Sequence, residues 1–136
     1  MHDAVVIAQG ERTLTELDFS RLSRLAGEQP PPVLSDVLAL AEVTRSRDVR
    51  ADVVTMYSRV ELVDVHTYRR QVLTLCYPRD AQPAAGSISV LSPVGLGVLG
   101  LKVGDVARWL TPLGEECAAT IAAIEFQPEA AGDFTT

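Results

Sequence analysis

A single lysine, Lys102, stands among twelve basic side chains, and eighteen carboxylates leave the 136-residue chain with a formal net charge of −6. Affinity for a phosphate backbone is built from many cationic contacts, so this balance argues against a protein whose main task is gripping nucleic acid, leaving room only for a local basic patch. Long apolar runs are also missing. None approaches the ~20 residues that cross a bilayer, and Met1-His2-Asp3 offers no basic stretch ahead of the short apolar run that follows. No signal peptide is therefore read there, and a cytoplasmic location is expected. Cysteines number two, Cys76 and Cys117, each inside an apolar, strand-like stretch. They read as small buried hydrophobes, and no disulfide is expected between them. The two histidines, His2 and His66, have no His, Cys or carboxylate neighbours at zinc-ligand spacing, so neither a metal nor a cofactor is expected.

What is present divides near residue 50. Ala4–Ala8 is a short apolar run that fits an edge strand or a packed arm. Thr15 followed by Asp18 matches a helix N-cap with an acid in the first turn, where it meets unpaired N–H groups and the positive end of the dipole. Phe19, Leu22, Leu25 and Ala26 then follow at helical spacing, Gly27 is a natural stop, and Pro30-Pro31-Pro32 cannot continue the helix. A second helical pattern runs from about Val33 to Arg45, with Leu34, Val37, Leu38 and Ala41 on one face. The two read as a short antiparallel helical hairpin that must pack on the rest of the chain, because isolated helices of about 12 residues are marginal. Residues 44–52, in which arginines and aspartates interleave, read as a solvated linker or a frayed helix end.

Beyond the linker the apolar period shifts from 3.6 toward 2. Strand-like runs occupy 58–63, 70–77, 87–91, 105–110 and 117–126, separated by Pro78-Arg79-Asp80, Gly86, Gly104-Asp105 and Gly114. His66 falls in the loop between the first two. The short, glycine-containing stretch 93–101 fits one helix packed on the sheet. The expected class is α+β: a helical hairpin in residues 1–48, then an antiparallel sheet with one covering helix in residues 49–136.

Candidate chemistry is sparse. Gly95-Leu-Gly97-Val-Leu-Gly100 matches G-x-G-x-x-G literally, but Gly104-Asp105 interrupts the chain four residues later, where a nucleotide-binding unit needs a long helix. Small residues that let a helix lie close to a sheet explain it better. Glu115-Glu116 reads as solvated hairpin charge. Ser92-Pro93-Val94 sits where a strand hands over to a helix, with Ser92 placed to cap and Pro93 at the first helical position. Such a corner is rigid, and a rigid corner suits partner docking because little entropy is lost on binding.

Asp52-Val-Val-Thr-Met56, Ser58-Arg-Val60, Tyr77-Pro78, Ser89-Val-Leu-Ser-Pro-Val-Gly95, Leu99-Gly-Leu-Lys-Val-Gly-Asp105 and Gln127-Pro-Glu-Ala-Ala-Gly-Asp133 resemble, in that order, the C-terminal domain of the Rnk branch of the Gre transcription-factor family. The N-terminal half agrees more loosely. The resemblance implies an antiparallel coiled coil followed by a domain of FKBP-like fold, docked on the rim of the RNA polymerase secondary channel. It carries Ser92, Pro93 and Val94 over as polymerase-docking residues. Gre factors hold a catalytic Mg²⁺ with an acidic pair at the coiled-coil tip. Here the tip, Gly27-Glu28-Gln29-Pro30-Pro31-Pro32, offers Glu28 alone beside Gln29, too few ligands for the ion. The resemblance thus implies a monomeric, non-enzymatic regulator that competes with Gre-type factors without stimulating transcript cleavage. Any DNA contact would come through the polymerase complex, and no membrane or small-molecule substrate is implied. Effects on nucleoside diphosphate kinase would be indirect. Two other expectations stand beside it. One is an FKBP-like peptidyl-prolyl isomerase, for which Trp109, Tyr77 and Phe126 are the aromatics available. The other is direct binding of another protein, such as the kinase itself.

Overall fold

The computed structural model describes residues 11–27 and 32–135; the apolar run at 4–8 and the tip residues Glu28 and Gln29 lie outside them. Strand β1 (Thr13–Thr15) runs directly into helix α1 (Glu16–Ala26). The junction is made by Thr15, whose Oγ1 accepts the Asp18 N–H at 3.0 Å, satisfying one of the donors a helix start leaves unpaired. Gly27 ends the helix with φ +62°, a conformation that costs a glycine little.

Helix α2 (Pro32–Leu40) is shorter than the sequence pattern suggests. After Ala41 N–H donates to the Val37 carbonyl, the Glu42 N–H turns instead to the carbonyl of Arg12, at 2.9 Å. Residues Glu42–Thr44 then form strand β2, parallel to β1. A β-branched pair, Val43-Thr44, with a strand edge within reach, overrides the helical period. The linker that follows holds one 3₁₀ turn, Ser46–Asp48, rather than a frayed α-helix.

The main sheet has five strands in the order β5-β4-β3-β7-β6: β3 (Arg59–Asp64), β4 (Arg70–Cys76), β5 (Ser87–Ser89), β6 (Val106–Leu110) and β7 (Glu116–Phe126). Helix α3 (Pro93–Val98) packs against β6. The class is α+β. Alternation works as the sequence suggests. Val60 and Leu62 are buried between Arg59 and Glu61, and Leu73, Leu75, Ala119 and Ile121 join them in one core with Leu14, Leu22 and Val37 from the N-terminal segment. The sheet is not wholly antiparallel, however: β5 pairs with β4 in parallel. The chain leaves β4 at Tyr77, makes two 3₁₀ turns at Pro78–Asp80 and Pro83–Ala85, and re-enters after Gly86, so it returns in its original direction. Cys76 and Cys117 are free thiols on different strands.

The glycines of the 95–100 stretch allow close approach. A Cβ on Gly95 would lie well inside van der Waals contact with the Ser89 carbonyl oxygen and 2.9 Å from Val90 Cα; on Gly97 it would come 3.3 Å from the Arg108 carbonyl oxygen. Backbone atoms cannot move aside as side-chain ends do. Gly95→Ala is therefore expected to cost about 2–4 kcal/mol in urea unfolding, whereas Gly114→Ala, with φ +84° but open space around it, costs about 1 kcal/mol.

Candidate docking site

The corner between β5 and α3 is built from short-range hydrogen bonds. Ser92 Oγ donates to the Ser89 carbonyl at 2.7 Å and accepts the Gly95 N–H at 3.1 Å, so one hydroxyl ties the strand end to the first turn of the helix. Ser89 Oγ accepts the Leu91 N–H, and the Ser92 N–H donates to the Ser89 carbonyl. Pro93 occupies the first helical position with its φ already fixed. Ser92 and Val94 are half-buried, Val94 packing against the core, while Pro93 is exposed. The sequence places the cap and the proline correctly; of the three consecutive residues Ser92, Pro93 and Val94, only Pro93 is exposed. Residues 91–98 carry no charge. Such a corner has the means for shape-specific contact and none for proton transfer or metal binding.

The other end of α3 is held by a residue the sequence pattern does not single out. Arg12 is buried, and its Nη1 donates to the carbonyls of Leu96 (2.6 Å) and Leu99 (2.9 Å). A cation at a helix C-terminus meets the negative end of its dipole and its unpaired carbonyls together. Nothing in local sequence foretells a contact spanning 84 residues. Gly100, with φ +78°, follows; a Cβ there would lie 3.0 Å from the Thr13 carbonyl oxygen.

Asp18 also does more than its first-turn position suggests. It is 1% exposed, and its Oδ2 accepts the Met56 N–H at 3.1 Å, fastening α1 to the body. Burial raises its pKa from the usual carboxylate range to about 6, with the nearby Glu129 carboxylate adding to the rise and the Met56 bond opposing it. Glu129 in turn accepts from Thr55 Oγ1 at 2.7 Å.

The other sequence candidates do not assemble into a site. Tyr77 is buried, in tilted contact with Tyr57; Trp109 lines a separate cleft with Asp64 and Arg69; Phe126 is 47% exposed. Tyr77 and Trp109 thus line different clefts. His66 is an exposed turn residue whose N–H donates to Asp64 Oδ1. Glu115 and Glu116 are exposed around the β6–β7 turn. Among the described residues, no group of three His, Cys, Asp or Glu side chains is arranged to hold a metal ion, and no helix is long and apolar enough to cross a membrane. The tip residues Glu28 and Gln29 lie outside the described residues.

The family model for the C-terminal domain of the transcription elongation factors GreA/GreB matches residues 49–126, more than half of the chain. The chain belongs to the GreA/GreB family. It is 36% identical over 128 residues to the regulator of nucleoside diphosphate kinase of Escherichia coli K12, covering 89% of this chain and 93% of that protein. GreA of Solidesulfovibrio magneticus is 54% identical over a shorter stretch of 46 residues, 34% of this chain and 28% of that factor. Among solved structures, a GreA/GreB elongation factor from Nitrosomonas europaea superposes with a TM-score of 0.72 at 32% identity, covering 87% of this chain and all of that one. The GreA factor homolog 1 of Thermus thermophilus shares the fold at 22% identity, with a TM-score of 0.50. This family member is accordingly related to regulators of transcription.

The carboxylate at the helix–body junction gives a test by pH. With a folded pKa near 6 and an unfolded value of 3.8, folded Asp18 keeps its proton over a window in which the unfolded chain has released it. Its contribution to stability is therefore full below about pH 4 and is lost as pH rises through 6. Asp18→Asn keeps the acceptor for Met56 but cannot ionise. Between pH 4 and 7 the parent is expected to lose about 1–3 kcal/mol relative to this variant, read as the difference between their unfolding free energies.

Proposed function

We propose that this protein is a non-enzymatic transcription regulator that docks on RNA polymerase near the secondary channel through the Ser92-Pro93-Val94 corner. There it competes with Gre-type factors without stimulating transcript cleavage. The observation that supports the reading is the pairing of a GreA/GreB C-terminal domain with two short N-terminal helices. Helix α1 has 11 residues and α2 has 9, about 16 Å and 14 Å at 1.5 Å per residue. Helices of that length, joined by a sequence that contributes the single carboxylate Glu28, are poorly equipped to deliver Mg²⁺ to a distant active centre.

In this reading residues 1–48 form a stubby coiled coil and residues 49–136 an FKBP-like body that provides the grip, acting as a monomer in the cytoplasm. The exposed ring of Pro93 and the uncharged surface beside it meet the polymerase. Effects on nucleoside diphosphate kinase then follow from altered transcription, without contact with the kinase. The placement of Tyr77 and Trp109 in different clefts speaks against a prolyl-isomerase pocket, which needs aromatics gathered around a substrate proline.

A competition assay tests the proposal. Purified polymerase with a stalled transcript is challenged with an authentic cleavage factor and increasing amounts of this protein. The expected result is inhibition of the factor's cleavage and none by this protein alone. Pro93→Glu combined with Val94→Glu is expected to weaken inhibition by about tenfold or more. Because Val94 is half-buried, Pro93→Glu alone, at an exposed position, separates docking from folding. Undiminished competition by a folded variant, or capture of the kinase in place of polymerase, sinks the assignment.

A further inference from the structure

Three arginines meet where α1 passes the turn after β4. Arg21 and Arg24, three residues apart and so neighbours on one helix face, line a cleft of about 660 Å³ with Arg79 from the 3₁₀ turn Pro78–Asp80. Leu25, Tyr77 and Pro78 complete the lining. The volume lies in the range of small-molecule sites, roughly 300–1,000 Å³. We propose that this cleft binds a small molecule bearing a di- or triphosphate group.

The charges around the cleft support an anion. Among the described residues, Asp18 and Asp80 stand near these arginines. Asp18 is buried and accepts the Met56 N–H. Asp80 accepts from the Tyr57 hydroxyl and lies 3.8 Å from Arg79, but the Arg79 side chain is 79% exposed and that of Asp80 47%. So open an ion pair is weak and separable. Arg21 donates from Nη2 to the Thr135 carbonyl at 3.0 Å, which orients its guanidinium while leaving other donors of the fork. Burial pushes the Tyr77 hydroxyl well above the ordinary tyrosine range, so it stays neutral beside Arg21 and adds no opposing charge.

A di- or triphosphate fits better than a lone carboxylate. Guanidinium forks from two separate elements need oxygens presented in succession, and phosphate chains offer them with bidentate geometry. A long nucleic acid fits worse, because the chain as a whole carries −6 and repels an extended polyanion, while a short one feels chiefly the charges within a Debye length. Leu25, 39% exposed, and exposed Pro78 give the site an apolar wall on which a nucleoside attached to the phosphates would rest.

Calorimetric titration of the full chain with pyrophosphate and with ADP, at about 0.1 M salt, tests this independently of polymerase docking, which can fail or succeed on its own. Saturable binding is expected. Arg24→Gln and Arg79→Gln, at exposed positions, should each weaken it about tenfold, with thermal melts confirming the fold. Tighter binding of ADP supports use of the apolar wall by the nucleoside; equal binding supports the phosphate chain alone as ligand. Absence of saturable binding by both probes, affinities indifferent to the two substitutions, or binding of an oligoglutamate peptide in place of pyrophosphate overturns the proposal.

Discussion

The backbone of residues 53–58 runs through the middle of the molecule without belonging to a strand, and its polar groups have to be satisfied there. Val53, Val54, Thr55, Met56 and Ser58 are all nearly inaccessible to solvent. An unpaired buried N–H or C=O costs as much as a lost hydrogen bond or more, so every neighbouring element contributes. Val54 exchanges bonds with Leu101 and Gly100; the Tyr57 N–H donates to Leu75; Asp18 takes the Met56 N–H. Gln127 Nε2 donates to the carbonyls of Arg50 and Val53, both at 2.8 Å, and Ser58 Oγ accepts the Thr55 N–H. Helix α1, the sheet, the segment after α3 and the C-terminal turn all bond to the same six residues.

That constraint explains which parts of the sequence carry a family signature. Most of the quoted motif residues lie outside the regular strands, where many apolar residues would serve. They fall on the central segment itself, on the turn that supplies Gln127 and Glu129, on the corner where Gly95 lies against Ser89, and on Leu99–Asp105, where Gly100 and Gly104 take φ +78° and +96°. At each, one residue type satisfies a geometric demand that its neighbours in chemistry do not meet.

The same reasoning marks what was legible and what was not. The start of α1 and the entry to α3 could be read because capping is local: Thr15 with Asp18, and Ser92 with Pro93 and Gly95. The five strands of the main sheet follow from alternation. Strand β2 was hidden, because Glu42-Val43-Thr44 continues a helical period and its partner, Thr13–Thr15, lies almost thirty residues earlier. The parallel entry of β5 depends on turns whose direction the sequence does not encode in any short pattern. Arg12, the buried role of Asp18 and the arginine cleft all rest on contacts between distant segments, and composition alone pointed the other way by averaging a local positive patch into a net negative charge.

Arg12 and Asp18 fasten the N-terminal segment to the body at two points. Arg12 precedes β1 and clasps the far end of the helix whose near end is the Pro93 corner; six residues later Asp18 clasps the central segment. Both ends of α3 are thus fixed, one by Ser92 within its own turn and one by the chain leading into the hairpin. A hydrogen bond from a charged group such as Arg12 is worth about 1.5–3 kcal/mol, whereas Asp18 holds α1 most firmly while its buried carboxyl keeps its proton; helices of nine and eleven residues are marginal without such attachments. The placement of α1 and the placement of α3 are consequently set by one connected framework, in which Arg12 and Asp18 lie six residues apart on the same stretch of chain.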